Sequence, residues 1–387
     1  MFDFLLTKEQ IVLRDEVLEF IKWVPRQMVL DMDRDAIKFP KEFLREAGRR
    51  NLMGCRYPRQ WGGRGMDWDS TGMVMEEIGT IGYELACVFG VGAELVCDAI
   101  IQHGTDEQKE RYVRPLLRGE LFAAECLTEP RGGSDFFGAT SKSEDRGDHF
   151  LLNGQKRFIV GGEGADYFLV YARTNFAPDA KPQESITAFI VDRGPGVDTK
   201  YLYNLMGCRG GGTARLVFSD VKVPKQNVLG RVNGAYDVFN TMMIPERLGT
   251  AIMTIGSART ALEIATHYTT RRKAFVAVIN TFQGVSFQVA EAATLLDAAR
   301  AMGYATCWAV DAGCGMDRIR RMVSESKKII TEYCQKIIHN AMQVVGGIGY
   351  TNVFPLERIY RDVRLASIWT GTSEVMSMVV AHELYQE

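Results

Sequence analysis

The spacing of apolar residues changes twice along this chain, and that change restricts the fold more than any single motif. Up to about residue 120 apolar side chains recur every three or four positions. Ile11, Leu13, Val17, Leu18 and Ile21 predict one helix, Phe43, Leu44 and Ala47 a second, and Met73 to Ile78 and Ala93 to Ile101 two more. Pro58 and Gly62-Gly63-Arg64-Gly65 read as loops, and Asp106 to Arg114 as a short charged helix. Between about 121 and 230 the helical period vanishes. Phe150-Leu151-Leu152, Tyr167 to Tyr171, Ile186 to Val191 and Leu216-Val217-Phe218 are short β-rich runs divided by Gly, Asn, Asp and Pro. No stretch between them holds a crossover helix, so an antiparallel sheet is expected. Asn153-Gly154 predicts a hairpin turn, and Asp220 to Pro224 the exit from the sheet. From about 231 the helical period returns in Leu248, Ile252, Ile255, Ala258, Leu262 and Ala265, and again in Ile319, Met322, Ser326, Ile330, Tyr333, Ile337 and Ala341. The expected class is α+β, with a helical domain over 1–120, a β-domain over 121–230 and a helical bundle over 231–387.

Composition narrows the functions open to such a chain. Its 387 residues, 46% of them hydrophobic, can bury two or three cores. Lys and Arg number 46 against 48 Asp and Glu, a net charge of −2 that disfavours nucleic acid and anionic membrane surfaces as partners. No run of about 18 apolar residues appears, and Met1 to Lys8 lacks the basic flank of a secretory leader, so a cytoplasmic location is expected. The eight cysteines form no Cys-x-x-Cys pair and read as reduced packing residues. The five histidines are dispersed, and no metal site is expected.

Cys126 to Asp135 reads Cys-Leu-Thr-Glu-Pro-Arg-Gly-Gly-Ser-Asp. Hydroxyls, paired glycines and a carboxylate around a turn suit close approach of a flat or phosphorylated ligand, although composition alone leaves a plain surface loop open. A second cluster is Gln343 to Tyr350, followed by Tyr360-Arg361-Asp362 and Gly371-Thr372-Ser373-Glu374. By itself a Gly-Gly at a helix end can be a simple cap. Taken together, Thr128, Glu129, Gly132, Gly133, Ser134 and Asp135 and the spacing of the C-terminal blocks resemble the signatures of the acyl-CoA dehydrogenase family, flavoproteins that oxidise acyl-CoA thioesters. Trp61-Gly62-Gly63 has a frequent counterpart there, and the resemblance covers essentially the whole chain, including the order of helical domain, barrel-like β-domain and C-terminal four-helix bundle. No Gly-x-Gly-x-x-Gly follows a strand, so a Rossmann fold is not indicated.

The resemblance implies FAD between the β-domain and the bundle, in a homotetramer built as a dimer of dimers, with an electron-transferring flavoprotein as redox partner. Glu125, Cys126, Leu127, Thr128, Gly133 and Ser134 would line the flavin, with Phe158, Ile159 and Val160 beside it and Ser134 also near the thioester. Arg272, Phe275, Gln283, Gln343, Val344, Gly346 and Gly347 would meet the other subunit's FAD. Thr372 and Glu374 complete the implied flavin contacts, and Arg247 and Val91 the implied substrate contacts. An Arg suits a diphosphate because its fork is bidentate and permanently charged, whereas without the resemblance Arg272 is a solvated helix charge.

Three positions depart from the family pattern. Where the catalytic Glu usually precedes the Gly-Thr-Ser turn stands Thr370, which cannot serve as a base at neutral pH. A minority of relatives carry the base within Glu-Arg-Leu on an early helix of the last domain, here Glu246-Arg247-Leu248; the alternative for Glu246 is a helix-start carboxylate beside Pro245. The usual Trp-Ile-Thr reads Phe158-Ile159-Val160, losing a hydroxyl expected near the flavin, and the usual Arg-x-x-Phe-Gly ends in Val276, placing a β-branched residue where glycine is expected. The expected activity is dehydrogenation of an acyl-CoA, with Glu246 taking the α-proton and the Thr370 backbone N–H polarising the thioester. The alternative is a remote, 1,4-type elimination or a redox-neutral lyase reaction on a CoA thioester. Uncharged Phe89 to Ala93, at the acyl-pocket position of relatives, suggest a short, branched or cyclic apolar acyl group.

Overall fold

The computed structural model describes residues 6–386. The chain opens with α1 (Lys8–Trp23), whose Thr7 and Gln10 form a reciprocal capping box. Its buried face is Gln10, Leu13, Val17 and Phe20, spaced by three and four, so Ile11 and Leu18 fall on the exposed side of the helix they helped to predict. There follow α2 (Arg26–Asp33), α3 (Lys41–Arg49), α4 (Trp68–Gly79) and α5 (Tyr83–Gly90). A π-helical turn at Val91–Val96 then leads into α6 (Cys97–His103), and the charged segment becomes α7 (Asp106–Gln108), a second π-helical turn and α8 (Arg114–Leu117).

Eight strands make one sheet: β1 (Ala123–Cys126), β2 (Lys142–Asp145), β3 (His149–Ile159), β4 (Tyr167–Arg173), β5 (Ile186–Asp192), β6 (Val197–Leu202), β7 (Ala214–Pro224) and β8 (Val228–Leu229). Their order is β6-β7-β3-β2-β4-β5-β8, with β1 added on β4. Most pairs are antiparallel, but the expectation of a wholly antiparallel sheet fails. β1 runs parallel to β4, Ala123 opposite Tyr167 and Cys126 opposite Val170, and Lys142 meets Arg173 in the same sense. The β2–β3 hairpin, not a helix, supplies the crossover that parallel pairing requires.

Asn153-Gly154 is likewise not a hairpin turn. It lies inside β3, at a register shift against β7. Gly154 has φ +153°, and a Cβ there would come within 2.5 Å of Ser141 Cβ, so glycine is required by the close approach of a neighbouring strand. Asn153 spends its side chain across the sheet on Asp220, donating to Oδ1 and accepting from the backbone N–H, both at 2.9 Å. The stretch Asp220 to Pro224 belongs to β7 rather than to an exit loop.

The last block starts with α9 (Ala235–Thr269), 35 residues long and buried along Leu248, Ile252, Ile255, Ala258 and Ala265. An antiparallel ribbon, β9 (Lys273–Ala274) with β10 (Ala277–Val278), precedes α10 (Gln283–Asp311) and α11 (Met316–Val345). Then come α12 (Leu356–Val363) and α13 (Ser373–Leu384). α11 packs against α9, α10 and α13, and α4 and α5 close over α9. One core therefore runs from the first helices into the bundle, while the sheet encloses a second around Phe150, Phe168, Phe189 and Phe218.

Candidate active site

The site is built where α9 faces the sheet on one side and α11 on another. Phe239, Met242 and Glu246 share a face of α9, spaced by three, four and seven. Phe239 stacks on Phe136 with ring centroids 4.3 Å apart, and Met242 Sδ receives the Tyr171 hydroxyl at 3.3 Å. That face therefore looks at the loop after β1 and at β4. One residue on, Arg247 points to α11, where its Nη1 donates to Ser324 Oγ at 3.4 Å. Lys327, fully buried one helical turn beyond Ser324, donates to the Gly371 carbonyl at 2.5 Å.

Pro245 lies in the interior of α9, ten residues past its start, so Glu246 is not the helix-start carboxylate that its neighbour suggested. The proline has no N–H and leaves the turn one hydrogen bond short, and the macrodipole there is too remote to stabilise a charge. Burial instead raises the Glu246 carboxyl to about 7, opposed by the positive charges of Arg247 and Lys327. The same burial, together with the Arg247 charge, brings Lys327 down to about 8 against the pull of Glu246. A carboxyl balanced near neutrality is matched to proton abstraction.

Thr370 follows in the loop that Lys327 holds. It has φ +56° and Gly371 φ +91°, a left-handed pair unusual for a β-branched residue. The preceding amides of Ile368 and Trp369 donate to the Leu365 carbonyl, whereas no carbonyl among the described residues accepts from the Thr370 N–H. Glu246 Oε2, Arg247 Nε, Thr370 Oγ1 and Ser373 Oγ are buried and lack a hydrogen-bond partner among the described residues. Orphaned polar atoms of this kind gather where a ligand completes them.

Opposite, the signature loop is rigidly held. Lys156 is wholly buried and donates to the Leu127 carbonyl at 3.1 Å and to Glu129 at 2.8 Å. Glu129 also accepts from the Thr140 N–H and hydroxyl and from the Ser141 N–H. Burial pushes its carboxyl up, but the Lys156 charge and these bonds outweigh that and bring it down to about 2. The Arg157 N–H donates to the Thr128 carbonyl, which joins the loop to the end of β3. There Phe158, at φ +58°, shows 47% of its surface beside Tyr203. The exposed Phe158 ring and the unpaired polar atoms of Glu246, Thr370 and Ser373 fit a flavin with one apolar and one polar edge.

The expected cofactor residues divide by orientation. Gly133, Ser134 and Phe158 are exposed and Thr128 half-buried, so all four are open to a cofactor. Cys126 and Ile159 turn their side chains into the sheet core, so only their backbones can face a cofactor, and Val160 packs half-buried against the main core. Val344 is buried in the bundle, Thr372 caps α13, and Glu374 is exposed and bonded to Thr372. Arg272, Phe275, Gln283, Gln343, Gly346 and Gly347 are all exposed on the far side of the bundle. With a rise of about 1.5 Å per residue, Thr269 lies about 35 Å along α9 from Glu246, so this group and Glu246 cannot surround one flavin ring in a single subunit.

One residue escaped sequence reasoning. Lys327 belongs to a buried polar stripe, Ser324, Lys327 and Thr331, on a helix whose apolar stripe is equally regular; that second period was the available signal. Glu125 was expected beside the flavin through the family pattern, but the direction of its side chain could not be read from a strand of four residues too short to show alternation.

Three acyl-CoA dehydrogenase domain families match consecutively: the N-terminal domain over 7–120, the middle domain over 124–221 and the C-terminal domain over 233–385. A 3-(aryl)acrylate reductase of Clostridium sporogenes is 32% identical over 98% of this chain and 99% of its own length. A caffeyl-CoA reductase-Etf complex subunit of Acetobacterium woodii is 34% identical over 93% of each chain. Among solved structures, butyryl-CoA dehydrogenase from Megasphaera elsdenii superposes with a TM-score of 0.93 at 30% identity, covering 98% of this chain and 99% of that one. With these matches spanning all three blocks and the cleft between them, the chain belongs to the acyl-CoA dehydrogenase family, FAD-dependent oxidoreductases acting on CH–CH bonds.

Proposed function

We propose that this enzyme oxidises an acyl-CoA to its 2-enoyl-CoA with Glu246 as the base, passing the electrons to an electron-transferring flavoprotein. The observation that carries the reading is the Glu246 carboxyl, buried with Oε2 unpaired, balanced near neutrality and set between two cations at the cleft. FAD, when bound, supplies the hydride acceptor. Glu246 takes the α-proton onto its free oxygen, and Arg247 and Lys327 hold the carboxylate charged until it does so. The Thr370 N–H, presented by a left-handed turn, is placed to stabilise negative charge on the thioester oxygen, which acidifies the α-carbon. The side chain of Thr370 takes no proton, so its replacement of the usual Glu does not remove this backbone donor.

The electron acceptor is supported by the relative named as part of an Etf complex. Two reductases among the relatives act on a double bond, so the reverse direction uses the same groups, Glu246 then returning the proton. That these relatives and the butyryl-CoA enzyme are redox catalysts disfavours a redox-neutral elimination. The exposed Arg272 group supports a FAD site completed by a second subunit, and with it a dimer-based assembly.

The test is anaerobic flavin reduction by a panel of acyl-CoAs. Glu246→Gln keeps shape while removing basicity, and should slow reduction by about three powers of ten with much smaller loss of CoA-ester binding. Near-normal reduction by that variant would sink the assignment. Thr370→Glu in the same background should restore part of the rate by returning a carboxylate to the family's usual place.

A further inference from the structure

We propose that Glu125 is a specificity-determining residue: its carboxyl group lies across the cleft from Glu246 to hydrogen-bond an oxygen carried on the acyl group, so the site selects oxygen-bearing acyl groups over hydrocarbon ones of equal size. This rests on the reading of Glu246 as the group at the reacting carbon.

Strand alternation sets the direction of the Glu125 side chain. Ala124 and Cys126 are fully buried in the sheet core, so Glu125 between them projects from the opposite face of β1, the face turned to α9. Tyr171 of β4 lies on that side, within the main core, and the charges of both Glu125 and Glu246 bear on its phenol. No hydrogen bond among the described residues satisfies Oε1 of this carboxyl. Tyr171 gives its hydroxyl to Met242 Sδ, and Lys156, the cation that acts on Glu125, is committed to Leu127 and Glu129. Glu125 Oε1 is buried without a hydrogen-bond partner, as is Glu246 Oε2.

Two neighbouring carboxyls with no cation between them do not both ionise. Burial raises Glu125 well above the ordinary carboxyl range, and the charge of Glu246 raises it further. Glu246, with Arg247 and Lys327 beside it, is the member that ionises, and Glu125 keeps its proton as an O–H donor with a carbonyl acceptor. Apolar surface flanks it, because β1 packs on the π-helical turn that begins at Val91, where a Cβ at Gly92 would lie 3.9 Å from the Ala123 carbonyl. A hydrocarbon acyl group seated here leaves the acid unpaired, whereas a hydroxyl, keto or ether oxygen completes it. A site with a buried polar group discriminates strongly against ligands that cannot pair it. The expectation of a wholly apolar acyl group is revised accordingly.

The test uses the FAD-loaded enzyme and CoA esters in size-matched pairs, one all-hydrocarbon and one bearing a hydroxyl or keto oxygen. Binding is read from the shift of the flavin absorption band, and turnover from flavin reduction. The wild type should favour the oxygen-bearing partner of at least one pair by about tenfold or more. Glu125→Leu should abolish or invert that ratio, and Glu125→Gln, which still donates, should preserve its sense. Equal affinities in the wild type for every pair overturn the proposal without any variant, and so does a ratio untouched by Glu125→Leu. If no ester reduces the wild-type flavin, the redox reading fails, while the binding ratios still decide the role of Glu125.

Discussion

Lys327 donates an N–H to the Gly371 carbonyl at 2.5 Å, which ties down the turn that holds Thr370, while its charge acts on Glu246. One cation thus serves two ends of the site: it holds the loop and opposes the burial that raises Glu246. Lys327→Met should separate these effects from fold loss. Without the charge, the Glu246 carboxyl rises beyond about 7, and because the base form exists only above that point, the rate of flavin reduction should reach half its plateau at a higher pH than in the wild type. A stopped-flow pH profile with an unmoved midpoint would show that Glu246 does not feel Lys327.

The Lys156–Glu129 pair makes a prediction about acid. Glu129 sits at about 2, below its ordinary value near 4.5, so its contribution to stability is full above that ordinary value and is lost as pH falls toward 2. The melting temperature should drop through this window. Lys156→Met leaves a buried carboxylate without its cation, which should cost about 3–5 kcal/mol at neutral pH and flatten the acid limb. Calorimetry at neutral and acid pH checks both.

Phe275 and Val276 occupy the left-handed region at φ +48° and +66°, and Val276 is fully exposed in the single chain, so no packing within the subunit repays its strain. Val276→Gly should therefore stabilise the protein by about 1 kcal/mol, seen as a small rise in melting temperature. A fall would mean that the lost side-chain restriction of the unfolded chain outweighs the strain.

Arg272 should matter for cofactor retention rather than for chemistry. Arg272→Ala is expected to lower the FAD-to-protein ratio after gel filtration at low concentration, most steeply where the assembly itself begins to dissociate. Full occupancy under dilution would refute a site shared between subunits.

The long helices were legible because their apolar positions keep one period over many turns; Leu248 to Ala265 on α9 and Ile319 to Ala341 on α11 announce themselves in any frame. The strands were legible where both faces are buried, as in Tyr167 to Tyr171, but not at Val197 to Leu202, which carries polar side chains on an edge. Gly154 misled because a turn signal and a close strand approach demand the same residue, and only Ser141, thirteen positions away, tells them apart. At the site, Glu246 and Thr370 could be reached through the family pattern. The neighbourhood of Glu246, with Glu125 and Lys327 acting on it, could not, since it joins three elements far apart in sequence and depends on which side of a four-residue strand faces inward.

Pro245 gives α9 a local character that its length conceals. A proline within a helix withholds the bond that would reach back to the carbonyl four residues earlier, here that of Thr241, and the very next residue is the one proposed to exchange a proton. The rod is packed between α4 and α11 along Ile252 and Ile255, and it is one backbone hydrogen bond short at the turn that carries Glu246. The direction of the Glu246 side chain is therefore set by a turn that lacks one rung of the backbone ladder, while Arg272 lies beyond the helix end at Thr269.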